Sequence, residues 1–126
     1  MNMLTFVFVS ALTFVYLAGV APQTLYSPKY EQIDYEKILS NKRILESYVK
    51  CVTEKGPCTP EATDIKKILP EVLATSCAKC SPGLKTIVQK TITTMQDKYP
   101  DQWQLVVNKY DPKREHAKKL EAFLKA

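Results

Sequence analysis

The sequence predicts an all-α domain, a compact bundle of six helices. Three observations carry the prediction. Apolar residues recur at helical spacing in almost every segment from Tyr35 onward, and strand alternation is nearly absent. Threonine or serine followed directly by proline opens successive segments, a pairing of side-chain cap and first helical position. Four cysteines in a chain of 126 residues read as two disulfides, which would staple a core of limited size.

The first segment stands apart from the fold. Sixteen of the first 21 residues are hydrophobic and no charged side chain precedes Lys29. An apolar run closing on Ala18, Gly19 and Ala21 has the layout of a secretory signal peptide, with the cut expected at about residues 18–21. The competing reading is a membrane anchor, which needs about 20 apolar residues. Pro22 follows at once and no Lys/Arg cluster flanks the run, so we expect a secreted protein without a stable anchor. The folded domain is then 22–126.

Within that domain a short helical turn spans Tyr35 to Leu39. Asn41 is a good cap, and Ile44, Leu45, Tyr48, Val49 and Val52 behind it form one apolar stripe. The stripe ends at Lys55-Gly56-Pro57, a turn between Cys51 and Cys58. Thr59-Pro60 opens the third helix, with Ile65, Ile68, Leu69, Val72 and Leu73 in phase. Pro70 cannot donate to the carbonyl of Lys66, so a kink is expected there. Ser81-Pro82 begins the fourth, carrying Leu84, Ile87, Val88, Ile92 and Met95. Asp101 is read as the cap of the fifth, with Trp103, Val106, Val107 and Tyr110 in phase. Asp111-Pro112 is read as the start of the last, with Ala117, Leu120, Phe123 and Leu124. No single helix can bury its stripe alone, so the stripes must face one another.

Chemistry has few parts to work with. The single histidine, His116, lies in a basic amphipathic end segment and has no second histidine or free cysteine with which to build a nucleophilic or metal site. Glu61, Asp64 and Glu71 are interspersed with lysines, as helix-surface pairs are. Three glycines leave no room for a phosphate-binding loop, and neither common pattern occurs. We therefore expect no enzyme, no cofactor and no metal site. The net charge of +5 leans toward the last nineteen residues, six Lys+Arg against three Asp+Glu. A solvated helix face explains it; an acidic lipid surface or partner is the sharper alternative. Export and the lack of aromatics among these basic residues speak against nucleic acid.

The cysteines leave three pairings open, and loop-closure entropy does not select among them. A four-thiolate zinc site is disfavoured by export, and a redox role for Cys77-Ala78-Lys79-Cys80 would need a strand leading into it. The aromatic inventory is unusual. After the leader there are one Phe, one Trp and six Tyr. Tyrosine and tryptophan lining an apolar cavity would supply ring surface and a few polar handles. The same rings packed at the surface of a filled bundle would explain them equally well.

Cys51-x6-Cys58-x18-Cys77-x2-Cys80 in a small helical domain resembles the insect chemosensory proteins, the OS-D or ejaculatory-bulb-specific family. The likeness extends through Tyr26-x-x-Lys29-Tyr30, Asn41-Lys42-Arg43-Ile44-Leu45, Tyr48-Val49-Lys50-Cys51, Lys55-Gly56-Pro57-Cys58-Thr59-Pro60-Glu61, Pro100-Asp101-x-Trp103 and Lys109-Tyr110-Asp111-Pro112. Ser76 departs from it, standing where a glycine is common before the third cysteine. The resemblance implies local disulfides Cys51–Cys58 and Cys77–Cys80 and an internal channel for fatty acids and odorant or pheromone-like molecules. By position it implies Tyr26, Tyr30, Tyr48 and Trp103 as channel residues. The helical stripes add Ile65, Ile68, Leu69, Val72, Leu84 and Val88. The function expected is that of a secreted, monomeric carrier of small apolar ligands. The alternative is a secreted helical signalling or developmental protein whose interior is simply packed.

Overall fold

The structure, a computed structural model, describes residues 24–126; the leader expected over 1–21 lies outside the described residues. A 3-10 turn at Pro28–Glu31 precedes six helices. These are α1 (Tyr35–Ser40), α2 (Lys42–Val52), α3 (Pro60–Thr75), α4 (Pro82–Lys98), α5 (Pro100–Tyr110) and α6 (Ala117–Lys125). There is no strand among the described residues.

Three helix starts are capped where the sequence places them. Asn41 Oδ1 accepts from the N–H groups of Arg43 and Ile44 at 3.1 and 3.3 Å. Thr59 Oγ1 accepts from Ala62 N–H at 3.2 Å, and Ser81 Oγ from Leu84 N–H at 3.1 Å. Each satisfies donors that the first turn cannot satisfy internally. α3 runs without interruption through Pro70, the site of the expected kink. The proline is on an exposed face, so the unpaired carbonyl of Lys66 has solvent to turn to.

Two starts differ from expectation. α5 begins at Pro100, one residue before the predicted cap Asp101, and Tyr99 in the cap position makes no capping bond with its side chain. Proline needs no donor satisfied there, and Tyr99 N–H is already spent closing α4 on Met95 O at 2.8 Å. Asp101 instead sits in the first turn, where its charge favours the helix dipole. The last helix begins at Ala117, not at Asp111-Pro112. Arg114 takes a left-handed backbone (φ 58°), which interrupts any helical run. The Asp111 carboxylate holds this turn by accepting from Glu115 and His116 N–H at 2.9 and 3.1 Å.

α2 packs against α1, α3 and α5, while α4 packs against α1, α5, α6 and the 3-10 turn. The disulfides are Cys51–Cys58 and Cys77–Cys80. Two apolar clusters result. The larger is built on Ile38, Leu39, Leu45, Val49, Val52, Leu73, Ile92, Met95 and Val106. The smaller is built on Tyr30, Val72, Cys77, Cys80 and Leu84. Tyr26 N–H donates to Lys79 O at 2.9 Å, tying the N-terminal segment to the Cys77–Cys80 loop.

Candidate functional site

The stripes do not close on one another completely. They enclose a cavity of about 120 Å³. α1 contributes Tyr35, Ile38 and Leu39, and α2 contributes Leu45, Tyr48, Val49 and Val52. Ile65, Ile68, Leu69 and Val72 come from α3, and Leu84, Val88, Thr91, Ile92 and Met95 from α4. Trp103 and Val106 complete the wall from α5. Among the described residues no charged side chain lines it. Apolar cavities near this size, around 150 Å³, stay dry and admit small hydrocarbons. The space therefore suits an apolar guest.

Eight of the ten expected channel residues line this cavity: Tyr48, Ile65, Ile68, Leu69, Val72, Leu84, Val88 and Trp103. Tyr26 and Tyr30 do not. They precede α1 and belong to the cluster beneath the Cys77–Cys80 loop, with ring centroids 5.9 Å apart in an edge-on arrangement. The Lys29 ammonium stands 5.3 Å from the Tyr30 ring centre. The wall also takes residues outside that expectation. Leu45, Val49, Val52, Ile92, Met95 and Val106 belong to the same apolar stripes, so their helical phase was the signal. Tyr35, Ile38 and Leu39 come from a helix too short for a stripe to show, and Thr91 is a polar residue in phase with Leu84 and Val88.

Four tyrosine hydroxyls are committed to protein. Tyr35 donates to Tyr30 O at 2.8 Å and Tyr48 to Glu61 Oε2 at 3.2 Å, although both rings line the cavity. Tyr99 donates to Leu39 O at 2.9 Å, and Tyr110 to Val52 O, each joining the end of one helix to another. The two tyrosines of the wall, Tyr35 and Tyr48, therefore offer the cavity ring surface, their O–H groups being given to the Tyr30 carbonyl and the Glu61 carboxylate. Burial pushes the Tyr35 phenol up to about 12, with Tyr30 and Tyr48 adding to it. Tyr48 is also raised, chiefly by burial, with Thr59 opposing and Glu61 reinforcing. Tyr26 rises to about 12 through burial and then the nearby Glu71 carboxylate. Its own hydroxyl is buried without a partner at hydrogen-bond geometry, the Glu71 carboxylate being engaged by Lys79 at 3.0 Å. These phenols stay neutral across the physiological range.

No group of three His, Cys, Asp or Glu side chains among the described residues is placed to hold a metal ion. No helix among them is long and apolar enough to cross a membrane.

Comparison with known proteins places these features. The sequence pattern of the insect pheromone-binding family, A10/OS-D, matches residues 26–118. The chain is 36% identical over 116 residues to ejaculatory bulb-specific protein 3 of Drosophila melanogaster, covering 92% of each. A chemosensory protein solved in complex with bromo-dodecanol superposes with a TM-score of 0.69 at 34% identity, over 77% of this chain and 97% of that one. The antennal chemosensory protein A6 of the moth Mamestra brassicae gives 0.64 at 34% identity, over 79% and 93%.

Proposed function

The chain belongs to the insect pheromone-binding family A10/OS-D, and from that premise we propose that it is a secreted carrier that solubilises a small apolar molecule in the cavity between α1 and α5. The observation that carries this reading is the cavity itself, about 120 Å³ of space walled almost wholly by apolar and aromatic side chains with no charge among them. A guest chain would gain about 0.8 kcal/mol for each methylene taken from water. A filled interior, which the alternative of a packed interaction protein requires, would leave no such space. The structural relative bound to bromo-dodecanol supports the class of guest: a long hydrocarbon with a small head.

On this reading Tyr48, Ile65, Ile68, Leu69, Val72, Leu84, Val88 and Trp103 contact the guest, and binding involves no catalytic step. Residues 1–21 act as the export leader and 22–126 as the working domain, functioning outside the cell as a monomer. The test is titration of the oxidised protein with a fluorescent fatty-acid-like probe, read by quenching of Trp103, the only tryptophan. Saturable quenching, reversed by an unlabelled long-chain competitor, is expected. Absence of saturable binding would overturn the carrier.

A further inference from the structure

Thr91 is the one wall residue with a buried polar side-chain atom left without a partner. Its Oγ1 is closed off from solvent and makes no hydrogen bond. Four other threonines show the usual arrangement. Thr53, Thr63, Thr75 and Thr86 all donate to the carbonyl four residues earlier, at 2.7, 3.0, 2.7 and 3.2 Å. That bond is the ordinary resort of a threonine on a helix. A buried hydroxyl without one is disfavoured and will take a partner that reaches it.

Its position is also distinctive. Tyr35, Leu39 and Thr91 line both the cavity and an outer groove between α1 and α4, where Asp34, Glu36 and Lys90 stand. Lys90 is paired with Glu36 at 3.1 Å on the surface. The hydroxyl of Tyr35, which lines both spaces as well, is already given to Tyr30 O. Thr91 thus offers a donor and an acceptor where the cavity wall meets the groove, and the wall carries no charge to neutralise an ionised head.

We infer that Thr91 is the head-group anchor of the cavity, and that the preferred guest is an uncharged amphiphile: a hydrocarbon chain ending in one hydrogen-bonding group, such as a fatty alcohol, aldehyde or ester. The tail lies among the aliphatic stripes and the head meets Thr91 Oγ1. This rests on the carrier reading above and specifies the chemistry of its guest. A carboxylate is disfavoured because burying an ion without a partner costs far more than burying a neutral head.

The experiment measures displacement of a fluorescent probe from the full oxidised protein by 1-dodecanol, dodecane and dodecanoate at pH 8, for the wild type, Thr91→Val and Thr91→Ser. Near-ultraviolet circular dichroism confirms the fold of each. Thr91→Val is expected to lower the ratio of dodecanol to dodecane affinity about five- to tenfold, the worth of one hydrogen bond. Thr91→Ser keeps the hydroxyl and should keep the preference for the alcohol. In the wild type, dodecanoate should bind more weakly than dodecanol. An unchanged alcohol-to-alkane ratio in Thr91→Val would overturn the anchor while leaving the carrier intact. Equal binding of dodecanoate and dodecanol would overturn the neutral head. A wild type that takes neither dodecanol nor dodecane would remove the carrier reading, and the anchor with it.

Discussion

Around the Cys77–Cys80 loop the interior is packed solid: Tyr30, Val72, Cys80 and Leu84 are all buried, and Cys77 has no exposure at all. On the other side of Val72 and Leu84, which belong to both regions, the stripes of five helices leave about 120 Å³ unfilled. Both regions use aliphatic and aromatic side chains of the same kinds. What differs is the backbone that delivers them. The packed cluster is fed by a 3-10 turn, a four-residue disulfide loop and the helix ends beside it, short pieces that can be drawn together until they touch. The open one is fed by rods of up to 17 residues, which can approach closely only where they cross. At about 24 cal/mol per Å³, the void forgoes roughly 3 kcal/mol of packing. The small cluster and the disulfides help to offset that loss, so the stapled region is what allows the other to stay empty.

The sharpest way to test this contrast is a matched pair of truncations in two of the four leucines of the wall, Leu84 and Leu69. Leu84 has one face on the cavity and the other in the packed cluster, and is only 1% exposed. Leu69 is half-buried and borders the cavity from the larger cluster alone. Leu84→Ala is expected to cost about 3–4 kcal/mol, because its neighbours on the packed side cannot relax into the space. Leu69→Ala should cost only about 1–2 kcal/mol, since atoms facing a void have fewer contacts to lose. In a domain of this size the first corresponds to a fall in Tm of roughly 12 °C or more. Equal losses in urea titrations of the two variants would erase the distinction between the regions.

The disulfides probe it next. Loop closure alone predicts about 2–2.5 kcal/mol for each, slightly less for the shorter Cys77–Cys80 loop. Their surroundings reverse that order. Both sulfurs of Cys77–Cys80 sit in the packed cluster, whereas Cys58 is exposed at the turn between α2 and α3. Cys77→Ala with Cys80→Ala should therefore destabilise more than Cys51→Ala with Cys58→Ala, by about 1 kcal/mol for the added cavity. Thermal unfolding of the two double variants measures this. A larger loss from the Cys51–Cys58 pair would mean that loop length, not packing, governs the difference.

The same contrast marks where the sequence was readable. The long helices and their inward faces follow from period and caps, so most of the cavity wall was legible residue by residue. Asn41, Thr59 and Ser81 announced their helices because a side-chain cap is a local interaction. Asp101 and Asp111 misled for the opposite reason: Tyr99 N–H was needed by the preceding helix, and the left-handed Arg114 postponed the last one. Tyr26 and Tyr30 were placed in the channel by resemblance, but no periodicity governs a 3-10 turn, and its packing on a disulfide loop is a tertiary fact. Thr91 was in phase with the wall and still passed unnoticed, because apolar periodicity discounts a polar residue.

The smallest effect expected comes from Ser76, which the sequence resemblance sets against a glycine at this position. Ser76 ends α3 in a left-handed conformation (φ 52°, ψ 51°), and its N–H closes on Val72 O. Cys77 is left-handed as well and donates to the same carbonyl at 3.1 Å. Left-handed backbone costs an L-residue roughly 1–2 kcal/mol, which glycine escapes. The Ser76 hydroxyl is in addition buried with no partner, so its removal leaves nothing unsatisfied. Against this, glycine loses about 0.5–1 kcal/mol more backbone entropy on folding. The balance predicts that Ser76→Gly stabilises the domain by about 1 kcal/mol, raising Tm by roughly 4–8 °C. Because Ser76 does not line the cavity, probe affinity should stay as in the wild type. Stabilisation with unchanged affinity would show the two regions to be energetically separate; a change in affinity would show that tightening the packed cluster also reshapes the cavity.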